Sequence, residues 1–180
     1  MFDIDHQKPA AKVMPGHYYV TVQDELISTV LGSCVAACIR DPETGVGGMN
    51  HFMLPGSGVS AQIGGAGERT LKYGPNAMNA LIETITQWGG RRSHLELKLF
   101  GGGAVLDFDL NKIGEQNVNC ARKYARDNGL EIVSEDLGGE WPRKIIYEPA
   151  TGRVLVRRMR RLQTATIVAD ERRYMQGKVE

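Results

Sequence analysis

Apolar and polar residues alternate along this chain in short blocks, and the period of each block predicts an element. Residues 13–23 (VMPGHYYVTVQ) become β-branched and aromatic in their second half and predict a strand. Residues 26–30 (LISTV) form a short apolar segment that ends at the bend pair Gly32-Ser33. Two apolar runs, 35–39 and 46–54, flank the turn DPETG at 41–45 and predict an antiparallel hairpin. Over residues 72–88, Met78, Leu81, Ile82 and Ile85 recur at three- and four-residue spacing, which is one buried helix face, and Gly89-Gly90 stops it. HLELKLF, 94–100, alternates as a half-buried strand does and runs into Gly101-Gly102-Gly103. A second helix is predicted over 112–128, a strand over 130–137, and a hairpin from 144–147 and 153–158 around EPATG.

What lies outside these blocks is polar. Residues 1–12 read as a flexible leader, 13–162 as one domain, and 163–180 as a polar tail or a helix without a fixed partner. The stretch 55–67 (PGSGVSAQIGGAG) reads as a mobile surface loop of the kind that lies over functional sites. Two helices among some eight strands predict a single α+β domain, with sheet at the centre and helices outside.

Bulk properties narrow the function classes. The chain has 180 residues, enough for a self-supporting core, and its net charge of +1 offers no electrostatic reason for nucleic acid or an anionic membrane as main partner. No run approaches the roughly 18 apolar residues that cross a bilayer, and the first residues lack the apolar core of a secretory signal. Three cysteines, Cys34, Cys38 and Cys120, are an odd number and a poor disulfide framework, so the expected home is the cytoplasm, where thiols stay reduced.

Candidate chemistry concentrates in LGSCVAACIRDPETGVGGMNHFMLP, 31–55. Cys38 and Cys120 fit the usual core role of cysteine. Cys34 follows Gly32-Ser33 at the mouth of its run, where a bend can expose both the sulfur and neighbouring N–H groups. The hairpin returns His51 toward it, and a thiol beside an imidazole is the minimum equipment for nucleophilic attack on a carbonyl. A histidine in that role needs a third group to fix its tautomer. Ser28 and Thr29 are the hydroxyl candidates, and no Asp or Glu is placed for the task. Zinc on Cys34, Cys38 and His51 fails on spacing, since the two cysteines on one strand would lie about 13 Å apart. Gly101–Gly103 lacks the spacing of a nucleotide loop. No metal or cofactor is expected.

The same segment closely resembles the signature of the chemoreceptor glutamine deamidases, the CheD family of bacterial chemotaxis. The similarity continues through YGPNAMNALI, KLFGGGAV, IGEQN and the GG…R…TG pattern near the end, covering roughly 13–162. The resemblance implies a cysteine-histidine hydrolase that converts receptor glutamines to glutamates with release of ammonia. Cys34 matches the family nucleophile and His51 its general base. The register of the third member falls on Ser28, with Thr29 beside it. Backbone N–H groups near Ser33 and Cys34, or at Gly101 and Gly102, would hold the oxyanion. The resemblance also implies a layered α/β sandwich like that of certain deamidating toxins, methyl-accepting chemoreceptors as substrate, and in many bacteria a CheC-type phosphatase as partner. Two other readings compete: a non-catalytic adaptor binding such a phosphatase or a receptor, and an amidase or peptidase for other substrates.

Overall fold

Strand β5 (Val35–Arg40) is buried at five of its six positions, on both of its faces. Such a strand must lie in a middle layer, and alternation sorts its side chains. Val35, Ala37 and Ile39 point into a core shared with helices, whereas Ala36 and Cys38, with Cys34 just before them, point into a core shared with a second sheet. The computed structural model describes residues 2–3, 7–56, 71–105, 108–159 and 164–176.

The middle sheet runs β3 (His17–Thr21), β6 (Gly47–His51), β5, β7 (Glu96–Gly101), β8 (Glu131–Leu137). Its neighbours are antiparallel except β7 and β8. Helices α1 (Gly74–Gln87) and α2 (Phe108–Asp127) cover one face. The predicted stripe is in place, since Met78, Leu81, Ile82 and Ile85 of α1 are all buried against that face. Each such side chain contributes about 1.5–3 kcal/mol. The other face meets the second sheet, β1 (Phe2–Asp3), β2 (Lys8–Lys12), β4 (Leu26–Leu31), β9 (Arg143–Glu148), β10 (Arg153–Arg158). Ile27, Leu31, Ile145 and Tyr147 of that sheet pack on Ala36, Cys38, Met49 and Phe100. The architecture is therefore the expected α+β layered sandwich, with two sheets where one central sheet was expected.

Three segments depart from the sequence reading. Residues 8–12, expected as loose leader, form β2, which pairs parallel to β4 through Ala10–Leu26 and Lys12–Ser28. Its polar KPAAK gives no apolar period, and backbone pairing holds it instead. Helix α2 begins at Phe108, before the predicted start. The polar tail contains α3 (Thr164–Met175), a helix that does have a partner. Of the loop expected over 55–67, residues 57–67 lie outside the described residues.

Candidate active site

The chain passes from one sheet to the other at Gly32–Cys34, between the end of β4 and the start of β5. The switch places β4 of one sheet against the hairpin β5–β6 of the other. The predicted hairpin forms with Cys38 opposite Met49 and Val35 opposite Phe52. Extending that register sets Ala36 opposite His51, so Cys34 and His51 are diagonal neighbours on the inter-sheet face. The sulfur of Cys34 and a ring nitrogen of His51 lie within 4.8 Å of each other.

Strand β4 supplies the third group by the same alternation. Ile27, Thr29 and Leu31 are buried inward, while Ser28 and Val30 are half-buried on the other face. Thr29 Oγ1 donates to the Val13 carbonyl at 2.7 Å and lies 2.8 Å from His51 Nδ1. Its proton is thus committed to Val13, so it can only accept from Nδ1–H. The ring is thereby fixed as the tautomer with an unprotonated Nε2, and that atom is buried without a partner among the described residues. Ser28, the first candidate by register, is not brought to the ring. Period-two alternation could have separated the two hydroxyls, because Thr29 shares its parity with Ile27 and Leu31.

The backbone of the bend is aimed inward too. The N–H groups of Gly32 and Cys34 point at Glu171 Oε1, at 2.8 and 3.3 Å, and Ser33 donates to Oε2 from N–H at 3.1 Å and Oγ at 2.7 Å. Three successive N–H groups around one point form an anion-binding concavity. A Cβ on Gly32 would sit 2.9 Å from Glu171 Oε1, so glycine is what lets the carboxylate approach.

Gly101 and Gly102 do not join this ring of donors. Gly102 N–H donates to the Cys34 carbonyl at 2.7 Å, and Gly103 N–H to the Gly32 carbonyl at 2.8 Å. The glycine run braces the bend from behind. Gly101 holds φ +109°, and a Cβ there would be 2.2 Å from the Cys34 carbonyl oxygen. Fully buried Asn117 of α2 braces it from the third side, donating through Nδ2 to the carbonyls of Ser33 at 3.1 Å and Met53 at 2.9 Å. It lies in IGEQN, but an asparagine on a helix carries no sequence sign of that contact. Glu171 had no sign either.

The sulfur is fully buried, not exposed as its place at a bend suggested: it packs in the inter-sheet core, and the Glu171 carboxylate of α3 lies within 4.8 Å of it. Burial pushes the Cys34 thiol well above its ordinary range, and the charge and hydrogen bond of Glu171 push the same way. Burial likewise lowers His51 to about 3, helped by the charge of His17. In this closed state the pair is a neutral thiol and a neutral imidazole. Cys34, His51 and Glu171 could each offer an atom to a cation. Both Glu171 oxygens, however, are already taken up by N–H and O–H donors, which suits an anion in a cradle better than a metal ligand.

A thiol, an imidazole held in one tautomer by a hydroxyl, and a ring of N–H donors are together the equipment of a cysteine amide hydrolase. The family model described as CheD chemotactic sensory transduction matches residues 53–158. A relative from Hahella chejuensis is 46% identical over 170 residues, 92% of this chain and 77% of that protein. Relatives from Methylobacillus flagellatus, 47% identical over 96% of this chain and 85% of theirs, and Hydrogenovibrio crunogenus, 48% over 91% and 85%, are equally similar. All three are described as probable chemoreceptor glutamine deamidase CheD. The solved structure of Neisseria meningitidis protein NMB0706 is only loosely alike, with TM-score 0.41 and 10% identity over 75% of this chain and 64% of that one. The chain belongs to the CheD family.

Proposed function

We propose that this chain is a chemoreceptor glutamine deamidase, a cysteine-dependent amide hydrolase that converts receptor glutamines to glutamates. The observation that carries the reading is the ordered line from Thr29 through His51 toward Cys34, with Nε2, unpartnered among the described residues, as the ring nitrogen left to take a proton. Nε2 removes the thiol proton as the sulfur attacks the carboxamide carbon. The oxyanion is held by N–H groups of Gly32, Ser33 or Cys34, each donor contributing about 3 kcal/mol. The imidazolium gives its proton to the departing ammonia, and a thioester remains. Water, deprotonated by Nε2, attacks the thioester, the C–S bond breaks, and glutamate and the thiol are restored.

No helix among the described residues is long and apolar enough to cross a membrane. The working compartment we propose is the cytoplasm, on the cytoplasmic part of methyl-accepting chemoreceptors. A CheC-type phosphatase belongs to the same proposal as a binding partner, tested by co-purification.

Incubating a chemoreceptor fragment with the protein and mapping its peptides by mass spectrometry tests the activity. Wild type converts glutamine to glutamate and releases ammonia in equal amount; Cys34→Ala does neither. His51→Ala loses about 10²–10⁴-fold. Conversion by Cys34→Ala at the wild-type rate rejects the assignment. Receptor binding with no conversion by any form identifies an adaptor.

A further inference from the structure

We propose that α3 is a tethered product analogue: it seats Glu171 where the side chain of a substrate glutamine binds, so the groove beneath α3 is the docking site for a substrate helix. The inference rests on the deamidase reading and extends it to how the substrate is presented.

Glu171 is the chemical product that the proposed reaction makes. The residue is 2% exposed, and its carboxylate is held by four neutral donors of the nucleophile bend and lies within 4.8 Å of both the Cys34 sulfur and a His51 ring nitrogen. A buried carboxylate of purely structural use would be expected to meet a cation. This one occupies the N–H cradle that an oxyanion needs. The carboxamide oxygen of a glutamine accepts the same bonds, which places its carbon beside the sulfur.

The carrier of this side chain is itself a helix. Ile167 and Tyr174, four residues before and three after Glu171, share its face, and all three line a cavity of roughly 70 Å³ with Thr29 and His51. Tyr174 and Met175 rest on the inter-sheet core, and Lys72 donates to the Tyr174 carbonyl. The surface around Cys34 therefore accepts an amphipathic helix with apolar residues at −4 and +3 from the reacting side chain. While α3 is seated, no receptor helix can enter, and burial, aided by the adjacent carboxylate, keeps the thiol protonated.

The test places the substrate in cis. In full-length Glu171→Gln, Cys34 attacks the introduced carboxamide, a C–S bond forms and the C–N bond breaks. Ammonia leaves with the proton from His51, and water then cleaves the thioester. Peptide mapping should find glutamate at 171 in this isosteric variant and the amide intact in Cys34→Ala/Glu171→Gln. In Glu171→Ala, alkylation of Cys34 by iodoacetamide should accelerate roughly tenfold or more over wild type. An intact amide at 171 in an enzyme whose wild type converts receptor glutamines overturns the product analogy and leaves the deamidase reading standing. Unchanged alkylation in Glu171→Ala overturns the covering role of α3. If neither receptor nor position 171 is converted, the deamidase reading falls and the analogy falls with it.

Discussion

Two regions meet at Cys34, and they are built on opposite principles. The hairpin β5–β6 is buried on both faces, and its neighbour β4 alternates buried with half-buried positions from Ile27 to Leu31. Helix α3 is largely exposed or half-buried and reaches the site with half-buried Ile167 and Tyr174 on either side of the enclosed Glu171. The first region is held by many small contacts, so no single one dictates where it lies. The second is held by one carboxylate in a cradle of N–H groups, by Tyr174 and Met175 at the edge of the inter-sheet core, and by Lys72 at the Tyr174 carbonyl. A part fixed by packing on both faces serves as a rigid frame, whereas a part fixed by a few contacts at the edge can leave without unfolding the rest.

The largest expected effect breaks the frame. Gly101→Ala places a Cβ 2.2 Å from the Cys34 carbonyl oxygen at a φ of +109°. Strain and overpacking together should cost about 4 kcal/mol, a midpoint drop of roughly 8–16 °C in thermal unfolding. Glu171→Ala should move the same midpoint by only about 1 kcal/mol or less, because it frees α3 alone. Equal losses in the two variants would show that α3 is as much a part of the frame as β5.

That contrast also explains what was legible in the sequence. The hairpin around DPETG, the α1 stripe at Met78, Leu81, Ile82 and Ile85, and the approach of Cys34 to His51 all follow from periodicity and turn chemistry, which packing enforces. β2 was not legible because KPAAK is held by backbone bonds and by Lys8 reaching Asp24 and Glu148, none of which leaves an apolar period. Gly101 and Gly102 were expected as donors to the site. A glycine run indicates close backbone approach but not its direction, and here it faces the Cys34 carbonyl. Glu171 and Asn117 escaped notice because each acts through long-range polar contacts that leave no period in the sequence.

A second test is sharper and smaller. Thr29 and Ser28 are adjacent, yet only Thr29 Oγ1 lies by His51 Nδ1, at 2.8 Å. Thr29→Ala removes a bond to a ring that becomes charged during turnover, about 1.5–3 kcal/mol or roughly ten- to hundredfold in kcat. Thr29→Ser should keep most of the rate, and Ser28→Ala should stay within about twofold of wild type. A slow Ser28→Ala with a normal Thr29→Ala would reverse the assignment and mean that β4 shifts its register during catalysis.

Acid sharpens the contrast most finely. His51 is lowered from 6.5 to about 3, by burial first and the charge of His17 on β3 second, with Cys34 and Glu171 also facing it. Between those values the unfolded chain binds a proton on this ring that the folded chain does not. Stability therefore rises with pH in this window and is lost as pH falls from about 6.5 toward 3. One proton corresponds to a slope of about 1.4 kcal/mol per pH unit over roughly pH 4 to 5.5. Urea unfolding across that range should give His51→Gln a slope shallower than wild type by about this amount. The lowering depends on the seal over the ring, so Glu171→Ala, with α3 released, should lie between the two. If wild type and His51→Gln give the same slope, the folded ring already takes up its proton from water. In that case α3 does not close the site, and the carboxylate in the cradle is no barrier to a substrate.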